Sequence, residues 1–263
     1  MHPMVNIAVR AARSAGNVIT RSIDRIDRVK VEEKGRYDFV TEVDRQAEQV
    51  IIDTLTRAYP HHAIIAEESG THQKNSRTQA EYTWIIDPLD GTANFVHGFP
   101  QVGISIAVQR RGQLEAAVIY DPLRQELFTA SRGNGAQLDG RRIRVTQRPG
   151  LRGSLVGTGF PFKQPDLMQR YLRMFGAVAE QAEDMRRAGA ASLDLAYVAA
   201  GRLDGFFELG LKAWDIAAGA LLITEAGGTV TDLDGEHAYL ENGNIVAGSS
   251  KVHNGLLQTI SRV

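Results

Sequence analysis

Apolar residues recur at Val5, Ala8, Ala12, Ala15 and Ile19, three and four apart, which predicts an amphipathic helix over Met1–Thr20. Arg10 and Arg13 interrupt that face, so the segment lacks the unbroken apolar core of a secretory signal. Val29–Arg36 follows as a charged stretch closed by Lys34-Gly35, read as a strand and a loop. Thr41-Glu42-Val43-Asp44 then opens a second helix, with Val43, Ala47, Val50, Ile51, Leu55 and Ala58 on one face and an end before Pro60. From there the period shortens. Ala63–Ala66 is a short buried strand that runs into Glu67-Glu68-Ser69-Gly70, and the polar stretch Thr71–Glu81 reads as an exposed loop. Trp84–Ile86 is a second apolar strand. Ile104–Val108, Leu114–Tyr120 and Glu126–Ala130 form a third group, joined by turns carrying Gly112 and Pro122, which predicts an antiparallel meander. Asp139-Gly140 marks a hairpin before Ile143–Val145.

The stretch Gln147–Gly153, with Pro149, Gly150 and Gly153, is the best candidate boundary in the chain. Beyond it, strand and helix alternate. Leu155–Gly157 reads as strand, Leu167–Glu183 and Ala190–Ala200 as helices, Gly205–Glu208 as strand, and Ile216–Ala226 as an apolar helix stopped by Gly227-Gly228. The expectation is an α/β protein: an α+β half over 1–148 and an α/β half over 149–263, packed as one compact unit.

Composition narrows the function classes. Thirty basic against 31 acidic residues leave a formal charge of −1, so neither strong autonomous nucleic-acid binding nor bulk attraction to a membrane is expected. The doublets Arg110-Arg111, Arg141-Arg142 and Arg186-Arg187 read as solvated turn residues. Cysteine is absent, which excludes disulfides, thiolate nucleophiles and zinc–thiolate sites. No apolar run approaches the ~20 residues of a membrane span, and a cytoplasmic protein is expected.

The chemistry is concentrated in acids at element ends. Trp84-Ile85-Ile86 leads into Asp87-Pro88-Leu89-Asp90-Gly91-Thr92, so a buried strand delivers two carboxylates to a stiff turn. Buried carboxylates without a counter-ion are costly, and oxygen ligands of this kind suit Mg²⁺ together with phosphate oxygens. The amides of Gly91 and Thr92 would face an anion beside the metal. Asp44, three residues after Thr41, also fits a capping box; Glu67-Glu68 also fits a solvated loop pair; Asp215, after Trp214, also fits the N-cap of the helix that follows. A cap at a helix N-terminus and a metal ligand are compatible roles for one carboxylate.

Trp84-Ile-Ile-Asp-Pro-Leu-Asp-Gly-Thr-Ala-Asn-Phe95 resembles the first signature of the inositol monophosphatase family, and the run from Trp214-Asp215 to Gly227-Gly228 resembles the second. Asp38-Phe-Val-Thr-Glu-Val-Asp44 and Ala66-Glu-Glu-Ser69 match the family pattern in the same order, and the likeness covers nearly the whole chain. The run Leu193–Arg202 is similar to the bacterial SuhB branch of the family. The resemblance implies a layered αβαβα fold and a lithium-sensitive, Mg²⁺-dependent phosphomonoesterase, commonly dimeric. It implies that Glu67, Asp87 and the Leu89 carbonyl hold a first metal and that Asp87, Asp90 and Asp215 hold a second, with a third, weaker ion near Glu67. By the same resemblance, Thr92 paired with Asp44 orients the attacking water, and the Gly91 and Thr92 amides bind phosphate. Glu208, Gly189, Ala190 and Ala191 would contact the alcohol half of the substrate. Ala93 and Ala190 depart from hydroxyl residues common at those positions, which bears on substrate preference and not on metal binding. Histidinol phosphate, fructose bisphosphate and 3′-phosphonucleotides are the alternative substrates. The SuhB likeness further implies an accessory role in ribosomal RNA antitermination through Nus factors.

Overall fold

Helix α1 (Pro3–Ile23) buries Val5, Ala8, Ala12, Ala15 and Ile19, as the N-terminal periodicity predicts. The computed structural model describes residues 2–23, 25–26, 31–35, 38–72 and 80–263. Parts of the stretches read as Val29–Arg36 and Thr71–Glu81 therefore lie outside the described residues. Strands β1 (Val31–Gly35) and β2 (Asp38–Thr41) pair antiparallel and lead into α2 (Glu42–Ala58). On α2, Val43, Ala47, Ile51 and Leu55 are buried as expected. Val50 is half-buried and Ala58 exposed, whereas Glu48 is buried.

The first sheet comprises β3 (Ala63–Ala66), β4 (Gly70–His72), β5 (Tyr82–Asp90), β6 (Gly103–Arg110), β7 (Gln113–Asp121), β8 (Glu126–Ser131), β9 (Gly135–Leu138) and β10 (Arg141–Arg142), with α3 (Thr92–Val96) between β5 and β6. Its order is β10-β9-β8-β7-β6-β5-β3-β4, and only β3 and β5 run parallel. The expected meander is β6–β7–β8. The hairpin at Asp139-Gly140 is also present, but its return strand is Arg141–Arg142 and not Ile143–Val145. A two-residue loop, with φ 49° at Asp139 and 78° at Gly140, lets pairing resume at once, Arg141 opposite Leu138.

The second sheet comprises β11 (Leu155–Thr158), β12 (Asp184–Arg186), β13 (Gly205–Glu208), β14 (Thr229–Thr231) and β15 (Ile245–Gly248), in the order β12-β11-β13-β15-β14. Interleaved are α4 (Met168–Ala179), α5 (Ala191–Ala199), α6 (Ala213–Glu225), α7 (Tyr239–Asn242) and α8 (Ser250–Ile260). The helix expected to reach Glu183 stops at Ala179. The Glu183 N–H is drawn to Ser154 O, and the chain continues as β12 alongside β11.

These elements stack in five layers. Helices α1 and α2 pack on one face of the first sheet, α5 and α6 fill the space between the sheets, and α4 and α8 cover the far face of the second. The αβαβα arrangement explains the apolar character of two segments. Strand β5 sends Trp84 and Ile86 into the outer core and Ile85 into the middle one, so both of its faces are covered. Helix α6 is apolar all round because it lies between two sheets.

Candidate metal centre

Two residues three apart on a regular strand point to opposite faces. Asp87 and Asp90 escape that rule. Asp87 pairs with Ser105 and Asp90 with Gly103, so four residues of β5 span three of β6. The bulge adds one residue and re-aims the second carboxylate. Pro88 stiffens the turn, and the Leu89 N–H donates to Asp87 Oδ1 at 2.9 Å. The third acid arrives from the other half of the chain. Ser105 Oγ, across the ladder from Asp87, donates to the Trp214 carbonyl at 2.8 Å and docks the first turn of α6 over this strand end. One carboxylate oxygen each from Asp87, Asp90 and Asp215 then lies within 4.8 Å of the other two. Asp215 is not the N-cap of α6, as the sequence suggested. The helix begins at Ala213, and Asp215 in its first turn accepts the Lys212 N–H at 2.7 Å.

Glu67 follows β3, its N–H donating to Ile86 O at 3.2 Å and its carboxyl bonding to Asp87. The cluster is thus a tetrad at adjacent ends of β3 and β5. Burial, then the charges of Glu67, Asp90 and Asp215, push Asp87 well above the ordinary carboxylate range. Burial and Asp215 raise Asp90 to about 7 against the hydrogen bonds it accepts from Ser192. Burial raises Asp215 as well, against the Lys212 N–H bond and the charge of Lys163. Acids so placed repel one another, and a divalent cation among them would reverse that balance.

Beside the tetrad, Thr92 Oγ1 donates to Asp44 Oδ1 at 2.9 Å, with Leu89 O a second acceptor at 3.2 Å. The other Asp44 oxygen accepts the Thr41 N–H at 2.8 Å and the Thr41 hydroxyl. Asp44 is therefore both the capping-box acid of α2 and the partner of Thr92, and burial raises its carboxyl. Gly91 sits at φ +91°, where an added Cβ would stand 2.8 Å from Gln101 O, so the turn needs glycine for conformation and for space.

The second half closes the site. Asp90 Oδ2 accepts from Ser192 N at 2.7 Å and Ser192 Oγ at 2.5 Å, and Asn94 Nδ2 bonds to Ala188 O at 2.9 Å. These bonds bring Gly189, Ala190 and Ala191, at the start of α5, against the turn. Glu208 ends β13. Its carboxyl is pushed well above the usual range by burial first, then by Asp215 and Asp194, with Arg187 opposing.

The inositol monophosphatase family model matches residues 1–263. The chain belongs to that family. A relative from Pseudomonas aeruginosa named Nus factor SuhB is 58% identical over 262 residues, which cover 99% of this chain and 96% of the relative. Among solved structures, the extragenic suppressor protein suhB from Bartonella henselae is 40% identical with a TM-score of 0.94, covering 99% of both chains. An inositol monophosphatase from Anabaena is 36% identical with a TM-score of 0.88, covering 99% of this chain and 96% of its own. Family and fold together indicate a phosphatase.

Three further residues border this site without having been singled out as candidates in the sequence, although Asp194 lies within the run Leu193–Arg202. Ser192 supports Asp90. Asp194 lies 2% exposed on α5, raised by burial and the nearby Asp90. Glu48, 3% exposed, accepts the N–H groups of Glu68 and Ser69 at 2.9 Å each and so anchors the loop that carries Glu67. The available signal was a charged residue on the buried stripe of α2, beside Ala47 and Ile51. Glu48→Ala orphans two N–H groups and is expected to lower unfolding free energy by roughly 2–5 kcal/mol. A variant with wild-type stability would show that the loop holds itself.

Proposed function

We propose that this chain is a Mg²⁺-dependent phosphomonoesterase that hydrolyses inositol monophosphates to inositol and phosphate. The observation that carries the reading is the convergence of Asp87, Asp90 and Asp215 within 4.8 Å. The donor set fits the ion: every proposed ligand is oxygen, and the acids are buried and mutually repelling without a counter-charge. Glu67, Asp87, the Leu89 carbonyl, Asp90 and Asp215 would hold two or three ions. What bound Mg²⁺ supplies is neutralisation of phosphoryl oxygens, a more acidic water and stabilisation of the departing alkoxide.

The remaining roles belong to the chain. Asp44 fixes the Thr92 hydroxyl, which orients the attacking water. The Gly91 and Thr92 amides take phosphate oxygens, and Asp90 and Asp215 also border the substrate. Glu208 accepts hydroxyls of the polyol, with Gly189, Ala190 and Ala191 shaping the pocket wall. The division of the chain at 148/149 belongs to this reading: Asp44, Glu67, Asp87, Leu89 and Asp90 come from one side, Glu208 and Asp215 from the other. So does a homodimer, to be measured by sedimentation.

Phosphate release from inositol 1-phosphate against Mg²⁺ concentration, with and without Li⁺, tests the activity. Mg²⁺ dependence and Li⁺ inhibition are expected. Faster turnover of histidinol phosphate, fructose bisphosphate or a 3′-phosphonucleotide would displace the substrate assignment.

The raised carboxyls predict a second result. Burial and Asp215 lift the Asp90 carboxyl from the ordinary 3.8 to about 7 in the folded protein. The folded state therefore holds more protons than the unfolded chain across that interval, and metal-free stability falls as pH rises through it. Mg²⁺ competes with those protons, so the rise in melting temperature on adding Mg²⁺ should be larger at about pH 8 than at about pH 5. Equal rises would contradict the proposed site.

The name Nus factor, carried by the P. aeruginosa relative, favours a second, compatible reading as a protein partner of the transcription machinery. Purified Nus factors should co-purify with the chain and with its Asp87→Asn variant; recovery of none would remove this reading.

A further inference from the structure

Away from the acid tetrad, the α1 face of the first sheet carries a cleft of about 460 Å³, lined by His2, Val5, Thr129, Ser131, Asn134 and Gln137 among others. Alternation along β8 explains its polarity. Phe128 and Ala130 enter the middle core, while Leu127 faces α1, and Thr129 and Ser131 continue that face beyond the apolar contact. Gln137 lies opposite Thr129 across the ladder, and Arg142 lies opposite Gln137. All four side chains therefore share one face.

Two features of this cleft suit a ligand. Thr129 and Ser131 are only 5% and 8% exposed, yet their hydroxyl oxygens reach the cleft and have no hydrogen-bond partner among the described residues, so both are free to bond whatever occupies it. At the rim of the cleft, the exposed Arg142 lays its guanidinium against Gly135, a lining residue, with Nη2 3.0 Å from where a Cβ would stand, and makes no ion pair among the described residues. Gln137 adds an amide donor, while the Asn134 amide already donates to the Arg132 carbonyl at 3.0 Å. The N-terminal turn of α1 contributes the positive end of a 21-residue helix with no acidic residue in its first turn. Among the described residues, no carboxylate lines the cleft. The nearest acid noted in the adjoining loop, Glu225, is engaged by the N–H groups of Gly133 and Gly135.

We infer that this cleft is a second binding site, separate from the metal centre, for a small oxyanion. Arg142 supplies the charge, and the Thr129 and Ser131 hydroxyls complete the donor set. Carboxylate and phosphate share the required chemistry: planar or tetrahedral oxygens that accept several hydrogen bonds and pair with a guanidinium. The inference does not depend on phosphatase activity.

The test is a methyl NMR titration of the full metal-free chain, reading Val5, with inorganic phosphate in one arm and acetate in the other. A saturable shift is expected in at least one arm, and the arm that saturates names the source of the oxyanion. Arg142→Ala should weaken that binding roughly tenfold, the loss of one charge-assisted contact. Thr129→Val should weaken it too, and phosphate release from inositol 1-phosphate should be unchanged in both variants. Shifts that fail to saturate with either anion, or saturate equally in Arg142→Ala, overturn the inference.

Discussion

Asp87→Asn is expected to lower phosphate release from inositol 1-phosphate by at least about a thousandfold, roughly 4 kcal/mol of barrier. The same change should raise the melting temperature of the metal-free protein. The two effects have one origin. Asp87 is the most enclosed member of the tetrad, 1% exposed, and bonds or couples to Glu67, Asp90 and Asp215. As a proposed bridge between ions it cannot be replaced by a neutral amide, which binds hard cations weakly and adds no charge. Without ions, its carboxyl adds repulsion to a buried acidic cluster, and an amide of the same shape relieves it while its oxygen still accepts the Leu89 N–H. Activity and stability therefore move in opposite directions, which simple misfolding does not produce. Turnover within a few-fold of wild type would remove Asp87 from the chemistry.

Thr92→Val and Asp44→Ala should each reduce turnover by about a hundredfold or more, the scale of losing an oriented proton acceptor or a positioned water. The two residues meet in one hydrogen bond of 2.9 Å. The double variant should therefore be little worse than the poorer single one. Stability separates them. Thr92→Val conserves shape on a half-buried residue, whereas Asp44→Ala also removes the capping-box acid of α2, at a cost of about 1 kcal/mol or more. Additive losses in a complete double-mutant cycle of turnover would show that the pair does not act as a unit.

Much of this site is legible in the sequence because its parts are local. A run as apolar as Trp84–Ile86 ending in two acids announces a strand buried on both faces with charge at its tip. The threonine three residues before Asp44 announces a cap, and the structure shows that the cap and the hydrogen-bond partner of Thr92 are one carboxylate. What is not legible depends on partners distant in the chain. The bulge that turns Asp87 and Asp90 to one side exists only in the pairing of β5 with β6. Asp215 belongs to the first turn of α6 because Lys212, not Asp215, begins that turn; a polar residue before an apolar helix does not by itself say which it is. Glu48 resembles a solvated helix residue until Glu68 and Ser69 fold back onto it, twenty and twenty-one positions later. Strand β12 is three residues long, too short for a period, and is imposed by its neighbour β11. The α/β class follows from periodicity and the αβαβα layering from the resemblance; the registers that align the tetrad required the folded chain.

That these four carboxyl groups gather divalent ions is tested by anomalous diffraction from crystals grown with Mn²⁺ in place of Mg²⁺. Manganese peaks are expected in contact with Asp87 and shared with Glu67, Asp90 and Asp215. Full Mn²⁺-dependent activity in the same preparation, with no peak among those oxygens, would contradict it.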